Sequence, residues 1–404
     1  MSSVRPLTYP LILAAVFGAI SIAGTAYAQN ADMPGVSATE IKIGNTMPYS
    51  GPASAYSIIA KTEQAYFDKI NAEGGVNGRK IKFISYDDAY SPPKAVEQTR
   101  KLVEDDGVLL VFQTLGTPAS IAIRKYMNLK KVPELFVASG AAKFADPTNF
   151  PWTMGWNPTL ENEGRIYGRY ILANHPGAKV SVLYQNDDYG REVLNGLREG
   201  LGKDADSIIV AKASYETSDP TVDSQVVKLR SSGADIFVNI STSKAAVQAI
   251  RKVNEMGWKP IHIVNSVANS VGMVLQPAGL EASKDILSAA YLKDPTDPTW
   301  KNSPDYKDWD AFMDKYFPSG DKTNAFAAYG YAAAQTLVQV LKQCGDDLSR
   351  ENVMRQAANL HNFEPQMLLP GLKISTSKDD YAVIRNMQMM RFDGKRWQLF
   401  GGLL

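Results

Sequence analysis

One cysteine and three histidines are all that 404 residues hold of the two side chains most used for metal binding and nucleophilic chemistry. Cys344 has no partner for an intramolecular disulfide and cannot by itself build a cysteine metal site, so it reads as a half-buried structural thiol after a helical run. His175, His262 and His361 lie far apart and near no paired acid, which makes a structural role the default for each. Charge of one sign is missing too: 43 basic residues against 42 acidic ones leave +1, with no electrostatic footprint for nucleic acid or an anionic membrane surface. Beyond the first residues no apolar run is long enough to span a bilayer. There is no Gly-x-Gly-x-x-Gly after the first strand, no Walker motif, no His-Glu-x-x-His and no Gly-x-Ser-x-Gly. Ser91-Pro92-Pro93-Lys94 fits a Ser-x-x-Lys pattern but lacks the companion Ser-Asp-Asn and Lys-Thr-Gly, so chance explains it.

What is present is an ordinary globular composition, 45% hydrophobic and 21% charged, in a chain long enough for two α/β lobes with a core each. Residues 1–28 follow the export pattern: Arg5, an apolar run from Leu11 to Ile22, then Ala26-Tyr27-Ala28 as a small-x-small cleavage site. That run is short of the roughly 20 apolar residues of a spanning anchor. No cysteine sits near the cleavage site to carry a lipid, so a soluble mature chain is expected.

Residues 41–100 read as strand, helix, strand, helix. Ile41-Lys42-Ile43 and Ile81-Lys82-Phe83-Ile84 alternate in the manner of strands, whereas Ala60–Ile70 carries apolar residues at helical spacing. A βαβ start implies a parallel sheet. The alternation continues through strands predicted at Val108–Phe112, Leu135–Ala138, Val180–Tyr184, Ile208–Ala211, Ile236–Ile240, Ile261–Val264 and Ile286–Ala290. Helices are predicted between most of them, and Pro93 and Pro118 stand in first turns where a missing N–H costs nothing. Phe150–Pro158, rich in proline and aromatics, reads as a crossing between lobes, and Lys293–Trp300 as a surface loop near the return crossing. From Pro365 the pattern changes to short strands at Leu372–Ser375, Met387–Arg391 and Trp397–Phe400, the last two forming a hairpin through Asp393-Gly394.

Asp87-Asp88 and Asp187-Asp188 follow strands and face the crevice where open α/β sheets bind ligands. Their hydrophilic, turn-forming surroundings favour capping over acid–base chemistry, which needs one carboxyl with a raised pKa. What remains suits holding a small polar molecule. Thr117-Pro118-Ala119-Ser120 opens a helix after a buried strand, where free N–H groups and hydroxyls receive an anion, although plain N-capping by Thr117 is an equal alternative. Ser139-Gly140-Ala141 offers a second such strand end, and Tyr56, Trp152, Trp156 and Tyr189 are aromatics placed either to cover a ligand or to pack.

The order and spacing of Ile41–Gly44, Ser50-Gly51-Pro52, Ile70–Gly78, Asp87-Asp88, Gly116-Thr117, Asn186–Gly190 and Gly233-Ala234-Asp235 resemble the periplasmic solute-binding proteins of ABC importers, in the branch of the leucine/isoleucine/valine-binding protein. The resemblance implies an α/β fold of two Rossmann-like lobes with parallel sheets and a three-crossing hinge, lobe one from 38–157 and 288–345, lobe two from 158–287 and 346–404. It implies a monomer that binds a small molecule without cofactor or catalysis, closes by hinge motion, and delivers its ligand to a membrane permease from the periplasm. Thr117, Ser139 and Ala141 would hold a carboxylate beside Tyr56, with Tyr189, Thr242 and Asn265 on the opposing wall and Trp156 and Tyr189 as stacking partners. Asn265 departs from the family's amino-acid binders, which use an acidic residue there for the ligand ammonium, and the tyrosine expected near Thr242 is missing. A carboxylate without the ammonium, aromatic or aliphatic, is therefore favoured. A shift of register would instead bring Ser266 or Asn269 to that position, and Asp187 or Asp188 is an alternative source of the negative charge. Amino-acid binding, a receptor's sensory module and a secreted α/β enzyme are the rival readings; the last needs a nucleophile and base that the sequence does not display.

Overall fold

The computed structural model describes residues 1–4 and 33–404, so the expected leader and its cleavage site fall outside the described residues apart from Met1–Val4. Alternation in β1 (Glu40–Met47) gives way to five consecutive buried residues, as in a strand covered on both faces. It pairs in parallel with β2 (Lys80–Asp87) and with β3 (Leu110–Phe112), which continues to β4 (Glu134–Val137) and β5 (Thr153–Gly155). The first sheet is thus all parallel, in the order β2-β1-β3-β4-β5. Helices α1 (Ile58–Ala72), α2 (Pro92–Arg100) and α3 (Thr117–Lys130) supply its crossovers.

The second sheet begins after α4 (Leu160–Asn174). It takes β6 (Val180–Gln185), α5 (Asp188–Leu201), the single turn α6 (Ala205–Ile208), β7 (Ile209–Tyr215), α7 (Asp223–Ser231), β8 (Ile236–Ile240), α8 (Ser243–Glu255) and β9 (Ile261–Val264). The short α9 (Gln276–Ala278) precedes β10 (Leu287–Ala290), and the antiparallel pair β11 (Gln388–Phe392) and β12 (Trp397–Leu403) extends the edge, giving β12-β11-β10-β9-β8-β6-β7. The expected C-terminal hairpin is therefore present on the second lobe.

Helices α10 (Pro304–Tyr316), α11 (Ala325–Cys344) and α12 (Arg350–Ala357) return to the first lobe, α11 lying along α1. Two expected boundaries move accordingly. β10 belongs wholly to the second sheet, so the division drawn at 287/288 cuts through it. The division at 345/346 also falls early: α12 packs on α11, and the Arg350 guanidinium donates to the carbonyls of Val108 (2.7 Å) and Leu109 (2.9 Å) beside β3. Within Phe150–Pro158, read as a crossing, Thr153–Gly155 is itself a strand, which leaves Trp156–Thr159 as the link to α4. Leu372–Ser375 forms no strand; Ile374 makes a single bridge to Phe363. Cys344 closes α11, buried, with its thiol pushed up to about 12 by burial.

In the second lobe α4 and α5 cross at backbone distance. Gly164 and Gly168 of α4 face Gly196 and Gly200 of α5, and a Cβ built on Gly196 would stand 2.1 Å from the carbonyl oxygen of Glu161. Only glycine permits that approach.

Candidate functional site

The carboxyl ends of the parallel strands from both sheets converge on one chamber between the lobes. From the first lobe, β3 runs into Gln113-Thr114-Leu115-Gly116, and the chain turns at Gly116 (φ 97°) into α3. A Cβ at Gly116 would lie 2.4 Å from the Tyr90 ring, so the glycine lets that phenol enter the cleft. Thr117 does not cap its helix: its hydroxyl sits 2.6 Å from the Ser139 hydroxyl at the end of β4, either oxygen able to donate. The Ala141 N–H donates to Ser139 Oγ (3.2 Å). The pair thus stands at the N-terminus of α3, where the helix dipole and free N–H groups favour negative charge.

From the second lobe come Tyr189, in the first turn of α5, and Thr242, just before α8. Thr242 Oγ1 donates to Gln185 Oε1 (3.2 Å), and its N–H donates to the Tyr215 hydroxyl (3.0 Å), which itself donates to Gln185 Oε1 (3.1 Å). Burial pushes the Tyr215 phenol up to about 12 and raises those of Tyr56, Tyr90 and Tyr189 as well. All four stay neutral near pH 7 and keep a proton to donate. Tyr56 crosses the cleft: its hydroxyl donates to the Val267 carbonyl (2.8 Å) and accepts from the Ser243 N–H (3.0 Å) at the start of α8. Gln185 Nε2 reaches Tyr90 Oη (3.3 Å), and Lys143 pairs with Asp188 (3.1 Å), so polar contacts join the two walls at several points.

Of the eight residues singled out from sequence, Tyr56, Thr117, Ser139, Tyr189 and Thr242 line this chamber together. Ala141, Trp156 and Asn265 do not. Trp156 is fully buried, edge-on to Tyr329 (4.9 Å between centroids), with its indole N–H given to Thr336 (3.1 Å). Asn265 stands behind the wall, donating to the Tyr189 hydroxyl (2.6 Å) and accepting from the Ser241 N–H (3.3 Å). It orients Tyr189. Sequence reasoning missed Tyr90, Asn157, Phe326 and Tyr329, all of which line the chamber. The Tyr329 hydroxyl is fixed between Gln113 Oε1 (3.1 Å) and Asn157 Oδ1 (2.7 Å).

No aspartate, glutamate, lysine, arginine or histidine is among the lining residues. Asp187 caps α5 through the Gly190 N–H, Asp188 is held by Lys143, and Asp87 gathers the N–H groups of Tyr49, Ser50 and Ala89. Asp87 and Asp187 thus act as turn anchor and cap, whereas Asp88, which accepts from the Tyr90 N–H, is fully buried and not in the hydrophilic surroundings expected of it. Burial raises two of the four carboxyls, Asp88 to about 6 and Asp187 as well. Among the described residues no three His, Cys, Asp or Glu side chains are grouped to hold a metal ion, and no helix is long and apolar enough to cross a membrane.

The chain is 26% identical over 266 residues to the Leu/Ile/Val-binding protein homolog 8 of Brucella abortus (strain 2308), a match covering 64% of this chain and 64% of that relative. It therefore spans less than two thirds of that relative's length. Among solved structures it is similar to a branched chain amino acid ABC transporter protein from Thermus thermophilus with bound valine, with TM-score 0.81, 15% identity, and coverage of 91% of this chain and 97% of that one. It is also similar to an ABC transporter solute binding protein from R. palustris in complex with benzoate, with TM-score 0.74, 20% identity, and coverage of 90% and 96%. A model of the periplasmic binding protein family matches residues 40–396, nearly the whole of both lobes. The chain belongs to the periplasmic binding protein family, in its leucine/isoleucine/valine-binding branch.

Proposed function

We infer that this protein is the substrate-binding component of an ABC importer, capturing a small carboxylate between its lobes and presenting it to a membrane permease from the periplasm, as a monomer. The observation that carries the ligand class is the make-up of a largely apolar chamber: paired hydroxyls at a helix N-terminus and no acidic side chain on any wall. An α-ammonium buried there would have no carboxylate to meet, which costs several kcal/mol, whereas a carboxylate at Thr117 and Ser139 would accept hydroxyl and N–H bonds. Tyr56, Tyr189 and Thr242 complete the contact set, Ala141 supports Ser139 through its N–H, and Asn265 and Trp156 act from behind the walls. Lobe closure follows from contacts that exist only when both walls meet.

A thermal-shift and calorimetric screen of aromatic acids, aliphatic acids and α-amino acids on ligand-free protein tests the reading. Saturation at about 100 times Kd should add roughly 2.7 kcal/mol of stability with no turnover. Replacing both Thr117 and Ser139 by alanine should weaken the best acid by about 10- to 100-fold, the loss of one or two charge-assisted bonds. A response confined to branched-chain amino acids would refute the carboxylate reading. It would favour the second one, amino-acid binding, which the Leu/Ile/Val-binding relatives and the valine-bound neighbour support.

A further inference from the structure

Behind the inner chamber, toward the hinge, lies a second, smaller cavity. Phe326 and Tyr329, on consecutive turns of α11, line both. The short turn Ser266–Ala268 completes the partition, with Ser266 facing the hinge-side cavity and Val267 the inner one. The two halves of this wall are held differently. Tyr329 is pinned through its hydroxyl by Gln113 and Asn157. Phe326 is held by packing alone, edge-on to Tyr56 at 5.1 Å, near the start of the helix where Asn324 Oδ1 accepts its N–H (3.0 Å).

The hinge-side cavity is mostly hydrocarbon and aromatic, with Tyr291, Trp300, Leu369, Met390, Trp397 and Leu399 around it. Its charged members are satisfied by others: Lys293 by Asp305 (2.5 Å), Asp294 by the Thr296 hydroxyl (2.5 Å) and N–H (2.8 Å), and Asp297 by the Thr299 N–H (2.9 Å). The Trp397 indole N–H donates to the Asn269 carbonyl (3.0 Å). An apolar tail entering this space would leave these bonds in place.

We propose that Phe326 is the residue that sets ligand length, closing the inner chamber against a hydrocarbon-lined annex at the hinge, so that removing its ring admits carboxylates with a longer alkyl or arylalkyl tail. The head group in this statement rests on the carboxylate reading; the partition does not. The test uses three ladders of increasing chain length on the whole protein: straight-chain carboxylates, the matching α-amino acids and the matching primary amides. Each is measured by calorimetry against wild type, F326A and the milder F326L. In whichever ladder binds, wild-type affinity should fall beyond a definite length, and F326A should move that limit outward by roughly three carbons, the span of the lost ring. Each methylene newly buried should tighten binding by roughly fourfold. F326L should move the limit less. Adding A290F to F326A puts a ring back into the lining of the annex and should bring the limit back inward. A length limit identical in wild type and F326A, with both melting cooperatively, overturns the proposal. A shifted limit seen only with amino acids upholds it while sinking the carboxylate reading.

Discussion

Tyr56→Phe isolates the polar contribution to closure, because it deletes one oxygen and keeps the ring against Phe326. That oxygen serves two bonds across the cleft, to the Val267 carbonyl and from the Ser243 N–H. When the lobes are apart, water satisfies both groups. When they meet around a phenylalanine, a buried N–H at a helix start and a carbonyl lose their partner together. Two bonds at about 0.5–1.5 kcal/mol each put the penalty on the closed form at about 1–3 kcal/mol. Ligand affinity should therefore fall about 5- to 150-fold, since binding is completed only in the closed form. Calorimetry with the best acid measures the loss, and small-angle scattering at saturating ligand checks that the variant still closes. The first lobe's packing is untouched, so ligand-free melting should change little. Affinity within twofold of wild type would refute the assignment of Tyr56 as a contact that favours closure.

Gly196→Ala drives a methyl group to 2.1 Å from the Glu161 carbonyl and must push α4 and α5 apart, which should cost about 1–3 kcal/mol or more in urea unfolding; a neutral result would mean the helices separate freely. Glu134 is fully buried between the Thr114 and Thr153 hydroxyls, and burial pushes its carboxyl to about 8. The folded state keeps its proton after the unfolded chain has released one. Stability should accordingly be greatest below the unfolded value near 4.3 and decline by a few kcal/mol as pH rises to about 8, where the loss levels off. Glu134→Gln should flatten that part of the pH profile of denaturant melts, and an unchanged slope would assign the dependence elsewhere.

The parallel architecture was legible because β-branched strands and helical repeats alternate with little interruption from Ile41 to Val264. β5 escaped notice since three residues among prolines and tryptophans carry no periodicity, and Leu372–Ser375 shows that a short apolar run without a partner strand makes only a bridge. Of the five cleft residues read from sequence, Thr117, Ser139, Tyr189 and Thr242 sit at strand ends or helix starts, where chain direction decides which way a side chain points, and Tyr56 sits in the short turn Ser54–Ser57 that leads into α1. Phe326 and Tyr329 lie in a helix buried on almost every side, so no polar face marks the turn that lines the cleft. Tyr90 reaches the cleft through a positive φ of 60° supported by Asp88 and the gap at Gly116, a tertiary arrangement with no local signature. Trp156 illustrates the converse, an aromatic in a proline-rich link whose indole turned inward to Thr336.

The C-terminal hairpin carries one more consequence. β10 is short and rich in small residues, and without β11 its outer N–H and C=O groups would stand open at the margin of a seven-stranded sheet. Such a margin is a template for another molecule's strand. The last residues of the chain shift the free margin to β12, whose Gly401 and Gly402 weaken any further pairing. Covering that margin is expected to disfavour self-association, and a chain cut short before Gln388 is expected to be limited by aggregation before it is limited by loss of ligand binding.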